Sequence, residues 1–190
     1  MSDEAALSAR TVDELVEACA DGSVPRYVLF WGHTPRRPGV LDRSCLSQWW
    51  PATFEVDGAR FASAEHYMMW RKARLFGDEE SAAEVLQARS PAHAKALGQR
   101  VRGFDDATWT EHRWEIVVSG STAKFGSDPE LRGYLLGTRS RVLVEASPLD
   151  RIWGTGLAAD AEDAERPERW RGLNLLGFAL MEARSRLDAR

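Results

Sequence analysis

The sequence has few cysteines and no long apolar segment. Its two cysteines, Cys19 and Cys45, are not spaced as metal ligands or as a redox motif, which favours a reducing compartment. No segment approaches the roughly 18 consecutive apolar residues that a membrane-spanning helix needs. The N-terminal residues Met-Ser-Asp-Glu lack the basic start of a signal peptide. We therefore expect a cytoplasmic protein with no membrane contact.

Nucleotide-cofactor and metal motifs are also missing. No Gly-x-x-x-x-Gly-Lys or Gly-x-Gly-x-x-Gly sequence follows a predicted strand, which argues against the standard phosphate-binding loops. The four histidines, at positions 33, 66, 93 and 112, do not cluster with carboxylates at ligand spacing. The formal net charge of −4 provides no overall basic field for nucleic acid, so such contact would need a local patch. We expect no cofactor and no metal.

Tryptophan, by contrast, is abundant, with eight residues in the chain. Each tryptophan buries a large area but carries an N–H group that needs a partner. Several in one small domain fit either a thick core or a cleft in which planar ligands stack. The composition leaves both interpretations open.

Short strands are predicted among many helices. The aromatic and β-branched runs 26–31 and 141–145 are typical of strands, and Asp57-Gly58 is a tight-turn signal inside a hairpin over 53–61. The remaining patterns are helical, so the predicted fold class is α+β, predominantly helical. We predict an N-terminal extension with a short helix over residues 1–25, followed by a single domain over residues 26–190.

One predicted helix concentrates ionisable and aromatic side chains. Ser63 is a good N-cap, and neither Pro nor Gly interrupts residues 64–76. Helical spacing puts His66 and Trp70 beside a face that is shared by Glu65, Met69, Lys72 and Phe76. An ionisable residue on an apolar face suggests a pocket wall. The alternative is that Glu65 only favours the positive end of the helix dipole and that His66 is a satisfied histidine.

Two later helices are also predicted. Asp105 or Asp106 caps a helix that carries Lys124 on its flank. Asn174 opens a final amphipathic helix over residues 175–187, whose inward positions are Leu176, Leu180 and Leu187.

Carboxylate chemistry remains after these exclusions. Cleavage of a glycosidic bond passes through an oxocarbenium-like state, which a nearby anionic carboxylate stabilises. Glu65 suits that role because a helix N-terminus favours its ionised form. Asp150, in the long irregular segment 149–173, is the natural second carboxylate, and the alternative is that it only caps a turn.

Lysines and aromatic residues provide the other candidates. Lys72 and Lys124 can neutralise a phosphate, and Lys124 can instead attack the sugar carbon if desolvation lowers its pKa. Either lysine can also be an ordinary surface charge. Three aromatic residues can sandwich a planar heterocycle or simply belong to the core: Tyr67, Trp70 and Trp153.

A series of short motifs resembles one known family. The motifs occur in order over roughly residues 27–188: Phe30-Trp-Gly-His33, Cys45-Leu-Ser-Gln-Trp-Trp-Pro51, Ala64-Glu-His-Tyr67, Lys72-Ala, Phe76-Gly-Asp78, Ser90-Pro91, Ala94-Lys-Ala-Leu-Gly98, Ala123-Lys-Phe125, Leu143-Val-Glu145-Ala-Ser-Pro148, Asp150 with Trp153-Gly-x-Gly156, and Asn174-Leu-Leu-Gly177. Together they resemble the NADAR (NAD- and ADP-ribose-associated, YbiA-like) family.

The resemblance implies a YbiA-like fold and a metal-free N-glycosidase. Family members hydrolyse phosphoribosylamino-pyrimidine intermediates of riboflavin biosynthesis and release ribose 5-phosphate, and other members remove ADP-ribose from guanine bases. The residues that the resemblance implies at the reactive centre are Glu65, Lys124, Asp150 and Trp153. Those that it implies as lining are Trp31, Tyr67 and Asn174, and Gly154 belongs to the Trp153 motif.

The sequence departs from the family after the Glu-His-Tyr motif, where many relatives have a glutamine-rich turn and this chain has Met68-Met-Trp-Arg71. The departure bears on substrate identity. The leading hypothesis is an N-glycosidase that acts on phosphoribosylamino-pyrimidines, so the expected partner is a small ribosylated heterocycle. The alternatives are removal of ADP-ribose from guanine in nucleic acid and a non-catalytic module that binds ADP-ribose or NAD. The division of roles between Glu65 and Asp150 stays open.

Overall fold

The structure, a computed structural model, describes residues 2–20 and 22–189. About half of these residues are helical and few lie in strands, so the predicted α+β, predominantly helical class is confirmed. The α-helices in the described residues are α1 Ser2–Ser8, α2 Val12–Ala18, α3 Ala64–Leu75, α4 Glu79–Leu86, α5 Pro91–Gly98, α6 Asp106–Gly126, α7 Pro129–Gly137 and α8 Leu175–Asp188. The strands are β1 Tyr27–Phe30, β2 Phe54–Val56, β3 Ala59–Phe61 and β4 Val142–Glu145.

The chain divides into two compact units, Met1–Ser47 with Glu130–Arg190, and Gln48–Pro129. No helix in the described ranges is long and apolar enough to cross a bilayer.

The N-terminal segment holds two short helices, α1 and α2, where one was predicted. The second begins after Thr11, whose Oγ1 accepts a hydrogen bond from the backbone N–H of Glu14. The boundary between an extension over 1–25 and a domain over 26–190 stays a prediction. Within those ranges Met1, Asp21 and Arg190 lie outside the described residues.

In the unit that includes both chain ends, β1 and β4 form a parallel pair. Both strands confirm the predicted runs, and their register aligns Phe30 with Glu145. Val142, Leu143 and Val144 are fully buried, as expected for an uninterrupted apolar strand in a parallel pair. Because the strands are parallel, their carboxyl ends meet at one edge.

The last helix, α8, packs against β4. Leu176, Leu180 and Leu187 are buried as predicted. Phe178 and Met181 are buried too, so the first turns of α8 are enclosed on all sides and the amphipathic prediction is wrong there. The reason is that a helix beside a buried strand has neighbours on more than one face.

In the unit Gln48–Pro129, a hairpin leads into α3. Asp57 and Gly58 both have positive φ, 53° and 75°, which a two-residue hairpin turn favours, and β2 pairs antiparallel with β3 on either side. Ser63 then caps α3 through a bond from the backbone N–H of His66. Phe76 is the C-cap, and Gly77 follows with φ of 70°. The predicted hairpin and helix are both confirmed.

Helix α3 is the centre of this unit and packs against α4, α5 and α6. The long helix α6 begins after Asp105, whose Oδ1 accepts a hydrogen bond of 2.8 Å from the backbone N–H of Thr108. Its buried residues include Val118, Ser121 and Phe125, whereas Trp114, at the same helical spacing, is half-buried.

Candidate active site

Glu65 lies in the first turn of α3 and is buried, with 4% of its surface exposed. The turn is fixed because the backbone N–H of Glu65 donates to the carbonyl of Gln48 at 3.0 Å. The dipole of α3 favours an anion at this position. A charge that is taken out of water needs compensation, so the placement of Glu65 differs from that of an ordinary surface carboxylate.

His66, next to it, is a satisfied core histidine, as the alternative interpretation proposed. Its Nε2 donates to the carbonyl of Ala88 at 3.1 Å, because a carbonyl only accepts, and its Nδ1 lies 2.7 Å from Ser63 Oγ. Burial lowers the pKa of His66 and favours the neutral ring.

Lys124, near the end of α6, is 1% exposed, so the surface-charge alternative is wrong for this lysine, as is its predicted place on the flank of the helix. Its Nζ lies 4.8 Å from the centroid of the Phe125 ring. A buried ammonium is unfavourable unless it is paired and hydrogen-bonded. The unit Gln48–Pro129 therefore holds a buried basic residue as well as a buried acidic one.

Helices α3 and α6 pack closely and run antiparallel. Near the start of α3, Tyr67 lies against Gly120 in the second half of α6, where an added Cβ would be 2.5 Å from Tyr67 Cδ1. Farther along α3, the Nζ of Lys72 is 5.6 Å from the ring of Trp109 at the start of α6. The first turn of α3 and the last turns of α6 are thus at the same end of the helix pair, and both buried charges belong to that end.

Tyr67 is fully buried and belongs to the aromatic core of this unit. Its ring meets that of Phe61 edge to face, with 5.2 Å between centroids, and its hydroxyl accepts a hydrogen bond of 3.3 Å from Arg71 Nη1. The core interpretation of this aromatic residue is therefore sufficient, and its predicted role in lining a ligand stays a prediction.

Lys72 is half-buried rather than a fully solvated charge. Its Nζ lies 4.2 Å from the centroid of the Phe104 ring, in addition to its contact with Trp109. Burial lowers the pKa of Lys72. A role in phosphate binding remains a prediction for this residue.

Trp70 lies on another side of α3 and lines an open groove of about 730 Å³. Charges of both signs border this groove, including Arg71, Arg74, Glu111 and Glu115. Neither Glu65 nor Lys124 lines it. The groove is therefore separate from the buried charges of the same unit.

In the other unit, predicted site residues gather at the carboxyl edge of β1 and β4. Trp31 follows β1 directly and is 57% exposed. The chain leaving β4 stays beside it, since the backbone N–H of Ala146 donates to the carbonyl of Phe30 at 2.9 Å. In α/β folds, ligands bind outside the carboxyl ends of parallel strands.

Asp150 lies in the loop after β4 and is half-buried. Its Oδ1 accepts hydrogen bonds from the backbone N–H groups of Ile152 and Trp153, at 2.9 and 2.8 Å. The turn-capping alternative is therefore confirmed for one oxygen. Within the described part of the chain no donor contacts Oδ2, which leaves that oxygen available to water or substrate.

Gly154 and Asn174 both hold this loop against β4. A Cβ at position 154 would lie 2.8 Å from the carbonyl oxygen of Glu145. Asn174 is fully buried, its Oδ1 accepts from the backbone N–H of Glu145 at 2.9 Å, and its Nδ2 donates to the carbonyl of Leu143 at 3.0 Å. It precedes α8 as predicted but makes no side-chain capping bond to that helix. Both ends of its amide are thus used by the strand.

The structure groups the predicted site residues into two sets, one in each compact unit. The set in Gln48–Pro129 is Glu65, Tyr67, Trp70, Lys72 and Lys124. The set in the other unit is Trp31, Asp150, Trp153, Gly154 and Asn174. Sequence reasoning missed Glu145 as a candidate, although a charged residue that closes a buried apolar strand is a visible signal. In the ranges that the structure describes, no three His, Cys, Asp or Glu side chains form a group able to hold a metal ion.

The NADAR domain family matches residues 29–188 of the chain. The chain is 40% identical over 164 residues to N-glycosidase R617 of Acanthamoeba polyphaga mimivirus, which covers 84% of this chain and 95% of that one. It is 31% identical over 138 residues to N-glycosidase YbiA of Escherichia coli (strain K12), which covers 73% of this chain and 76% of that one. The NMR structure of E. coli YbiA superposes with a TM-score of 0.69 at 26% identity and covers 88% of each chain.

A further relative is riboflavin biosynthesis protein PYRR, chloroplastic, of Zea mays, with 32% identity over 134 residues that cover 66% of this chain and 19% of that protein. The chain belongs to the NADAR family, as the motif resemblance implied. It is an N-glycosyl hydrolase.

Proposed function

We propose that this N-glycosidase hydrolyses the bond between ribose C1′ and the exocyclic amine of phosphoribosylamino-pyrimidines, the intermediates of riboflavin biosynthesis, and releases ribose 5-phosphate. The observation that carries the proposal is the burial of Glu65 and Lys124 at the same end of the α3–α6 pair. The name of the maize relative supports the choice of pathway.

Glu65 provides the negative charge that the reaction needs. As the amine departs, positive charge develops on the ribose ring in an oxocarbenium-like state. A carboxylate held out of water stabilises that charge more strongly than a solvated one, because the surrounding dielectric is lower and its position is fixed in advance. We therefore assign Glu65 to the face of the ribose at C1′.

Lys124 has two chemically distinct roles that fit its burial. As an ammonium it neutralises the 5-phosphate of the substrate. As a neutral amine its Nζ attacks C1′, the C1′–N bond breaks, and the proton lost by Nζ goes to the departing amine. The resulting lysine glycosylamine opens to an imine as the C1′–O4′ bond breaks and the remaining Nζ proton passes to O4′. Water then hydrolyses the imine, which releases ribose 5-phosphate and restores the lysine. The second role requires that desolvation lowers the pKa of Lys124.

Asp150 is the second carboxylate of the proposal. Its Oδ1 holds the turn through Ile152 and Trp153, and we assign the other oxygen to orienting water or a sugar hydroxyl. The nearby indole of Trp153, which is half-buried, provides a surface for the pyrimidine.

The test is release of ribose 5-phosphate from the diaminopyrimidine and the aminouracil ribosylamino phosphates by purified protein. We expect Glu65→Gln and Asp150→Asn each to lower turnover by about 10²–10⁴-fold, the range for a positioned acid or base. Glu162→Gln, at an exposed position, is the matched control and should leave turnover unchanged. If wild-type protein releases ribose 5-phosphate from neither substrate, the proposal is rejected.

Two further measurements refine it. Borohydride during turnover should trap a sugar on Lys124 if that residue attacks C1′, and no adduct would leave the phosphate role. An oligonucleotide with ADP-ribosylated guanine serves as the competing substrate. Release of ADP-ribose from it, with no reaction of the pyrimidines, would redirect the proposal to nucleic acid.

A further inference from the structure

Glu145 is a third carboxylate beside the Asp150 loop. It ends β4, is half-buried, and its Oε2 is buried. It lies at the carboxyl edge of the parallel pair, aligned with Phe30 and one residue before the Ala146 contact that joins the two strand ends. This carboxylate therefore occupies the edge at which parallel strands present ligand-binding residues.

The backbone of Glu145 is held on both sides. Its N–H donates to Asn174 Oδ1 and its carbonyl accepts from the N–H of Thr155, each at 2.9 Å. Gly154 allows this approach, because any larger residue there would bring a Cβ against the Glu145 carbonyl. The end of β4 and the loop that carries Asp150 are therefore fixed to each other.

Asn174 is the residue that joins these parts. Its φ of 50° is left-handed, a conformation that is unfavourable for most residues but tolerated by asparagine. Its own N–H donates to the carbonyl of Gly154 at 3.1 Å. The N–H of Leu175 donates to the carbonyl of Ile152 at 3.2 Å, and the N–H of Leu176 donates to the carbonyl of Trp153 at 3.1 Å. The N–H groups that a helix start normally leaves unsatisfied are thus given to the loop.

A carboxylate in this place suits recognition of a ribose hydroxyl, because the hydroxyl donates and a carboxylate oxygen accepts. Since Oε2 is buried, the contact falls to the other oxygen, Oε1. We propose that Glu145 Oε1 accepts a hydrogen bond from a ribose hydroxyl of the substrate and that Asn174 is its positioning residue. The proposal rests on the proposed function for the identity of the sugar. It assigns Asn174 to the support of the site rather than to contact with the ligand.

The test compares two stable probes, ribose 5-phosphate and 2-deoxyribose 5-phosphate, by calorimetric titration of the full chain. We expect wild-type protein to bind ribose 5-phosphate on the order of tenfold more tightly, as expected for one hydrogen bond to a charged group. Glu145→Gln should abolish this preference, and the exposed control Glu162→Gln should keep it. Glu145→Asp, which retains the charge but shortens the reach, is the second variant if Glu145→Gln fails to fold.

Asn174→Asp tests the positioning role. It keeps the acceptor for the Glu145 N–H but loses the donor to Leu143. If Asn174 acts through Glu145, Asn174→Asp lowers the preference for ribose in the wild-type background and has no further effect on it in the Glu145→Gln background. A general loss of structure would instead weaken both probes equally and lower the thermal midpoint.

The outcomes separate this inference from the proposed function. The role of Glu145 alone is overturned if wild-type protein releases ribose 5-phosphate from the pyrimidines and Glu145→Gln keeps the preference for ribose. Equal binding of the two probes by wild-type protein also overturns it. Wild-type protein that binds neither probe and releases no ribose 5-phosphate overturns both proposals.

Discussion

Gly120→Ala would place one methyl group into the close contact between α3 and α6. The added Cβ would lie 2.5 Å from Cδ1 and 2.9 Å from Cε1 of Tyr67, well inside the optimal carbon separation of about 3.5–4.0 Å. Tyr67 has little room to retreat, since it is fully buried and its ring meets those of Phe54 and Phe61 at centroid distances of 6.1 and 5.2 Å. We therefore expect the two helices to be pushed apart.

Two opposing contributions set the magnitude. Alanine favours a helix over glycine by about 1 kcal/mol, whereas overpacking a core costs about 1–3 kcal/mol. The obstacle at Gly120 is an enclosed ring rather than the mobile end of a side chain, so we expect the upper part of that range. The net loss in the free energy of unfolding should be about 1–2 kcal/mol, which for a chain of this length lowers Tm by roughly 2–8 °C.

Gly133→Ala on α7 is the matched control, because a Cβ there meets nothing within 4 Å. Only the helix-propensity term acts at that position, so its Tm should rise by about 2–4 °C. Circular dichroism on heating measures both, and ribose 5-phosphate release well below Tm should fall in Gly120→Ala because the same contact positions Glu65 and Lys124. A Gly120→Ala variant as stable as wild type, beside a stabilised Gly133→Ala, would refute the packing argument.

Three further predictions concern charge and close approach. Hydrogen bonding from the Arg102 side chain holds the pKa of Asp78 well below its ordinary value of 3.8. The ionised Asp78 therefore stabilises the fold above pH 3.8, and this stabilisation is lost as pH falls. Urea titrations in acid should show wild type losing stability more steeply than Asp78→Asn. Burial lowers the pKa of His66 below its ordinary value of 6.5. As pH falls below 6.5 the unfolded chain binds the proton first, so the stability of the folded protein declines. An NMR titration in which the His66 ring becomes protonated at or above pH 6.5 would contradict this. A Cβ at Gly177 would collide with the carbonyl oxygen of Leu143. Gly177→Ala should therefore lower the free energy of unfolding by about 3 kcal/mol in the same urea assay. An unchanged urea midpoint would disprove the contact.

Elements whose signals act over a few residues were predictable. Ser63 caps α3 through a residue three positions later, and Asp57-Gly58 closes a turn between adjacent strands. Asp105 likewise caps α6 through Thr108. In each case the residue type and its partner lie within one turn of chain, so the sequence contains both halves of the interaction.

Which residues are buried depended on contacts between distant parts of the chain, and no local sequence pattern contains these contacts. Helical spacing put Lys124 on a flank, but the close approach of α3 at Gly120 encloses that part of α6. Asn174 was correctly expected to precede α8, yet its side chain bonds Leu143 and Glu145, about 30 positions earlier in the chain. A spacing rule cannot provide partners at that distance, because they are set by the tertiary fold.

The candidate site shows the same division. Residue chemistry selected Glu65, Asp150 and Lys124, and the family motifs implied the same three residues. Residue chemistry did not select Glu145, because the proposed role of this residue depends on the pairing of β4 with β1 and on the loop that returns to β4. Glu65→Gln and Asp150→Asn test two of these residues in turnover, borohydride trapping tests Lys124, and the binding titrations test Glu145.

The hydrogen bonds that Asn174 and Thr155 make to β4 also bear on aggregation. Exposed strand edges recruit strands from other molecules because their backbone groups are available for pairing. On the side of β4 away from β1, Leu143 O and Glu145 N are occupied by the Asn174 amide, and Glu145 O is occupied by Thr155. Asn174 thus satisfies two of these three groups with one buried side chain, in the place that a third strand would otherwise take.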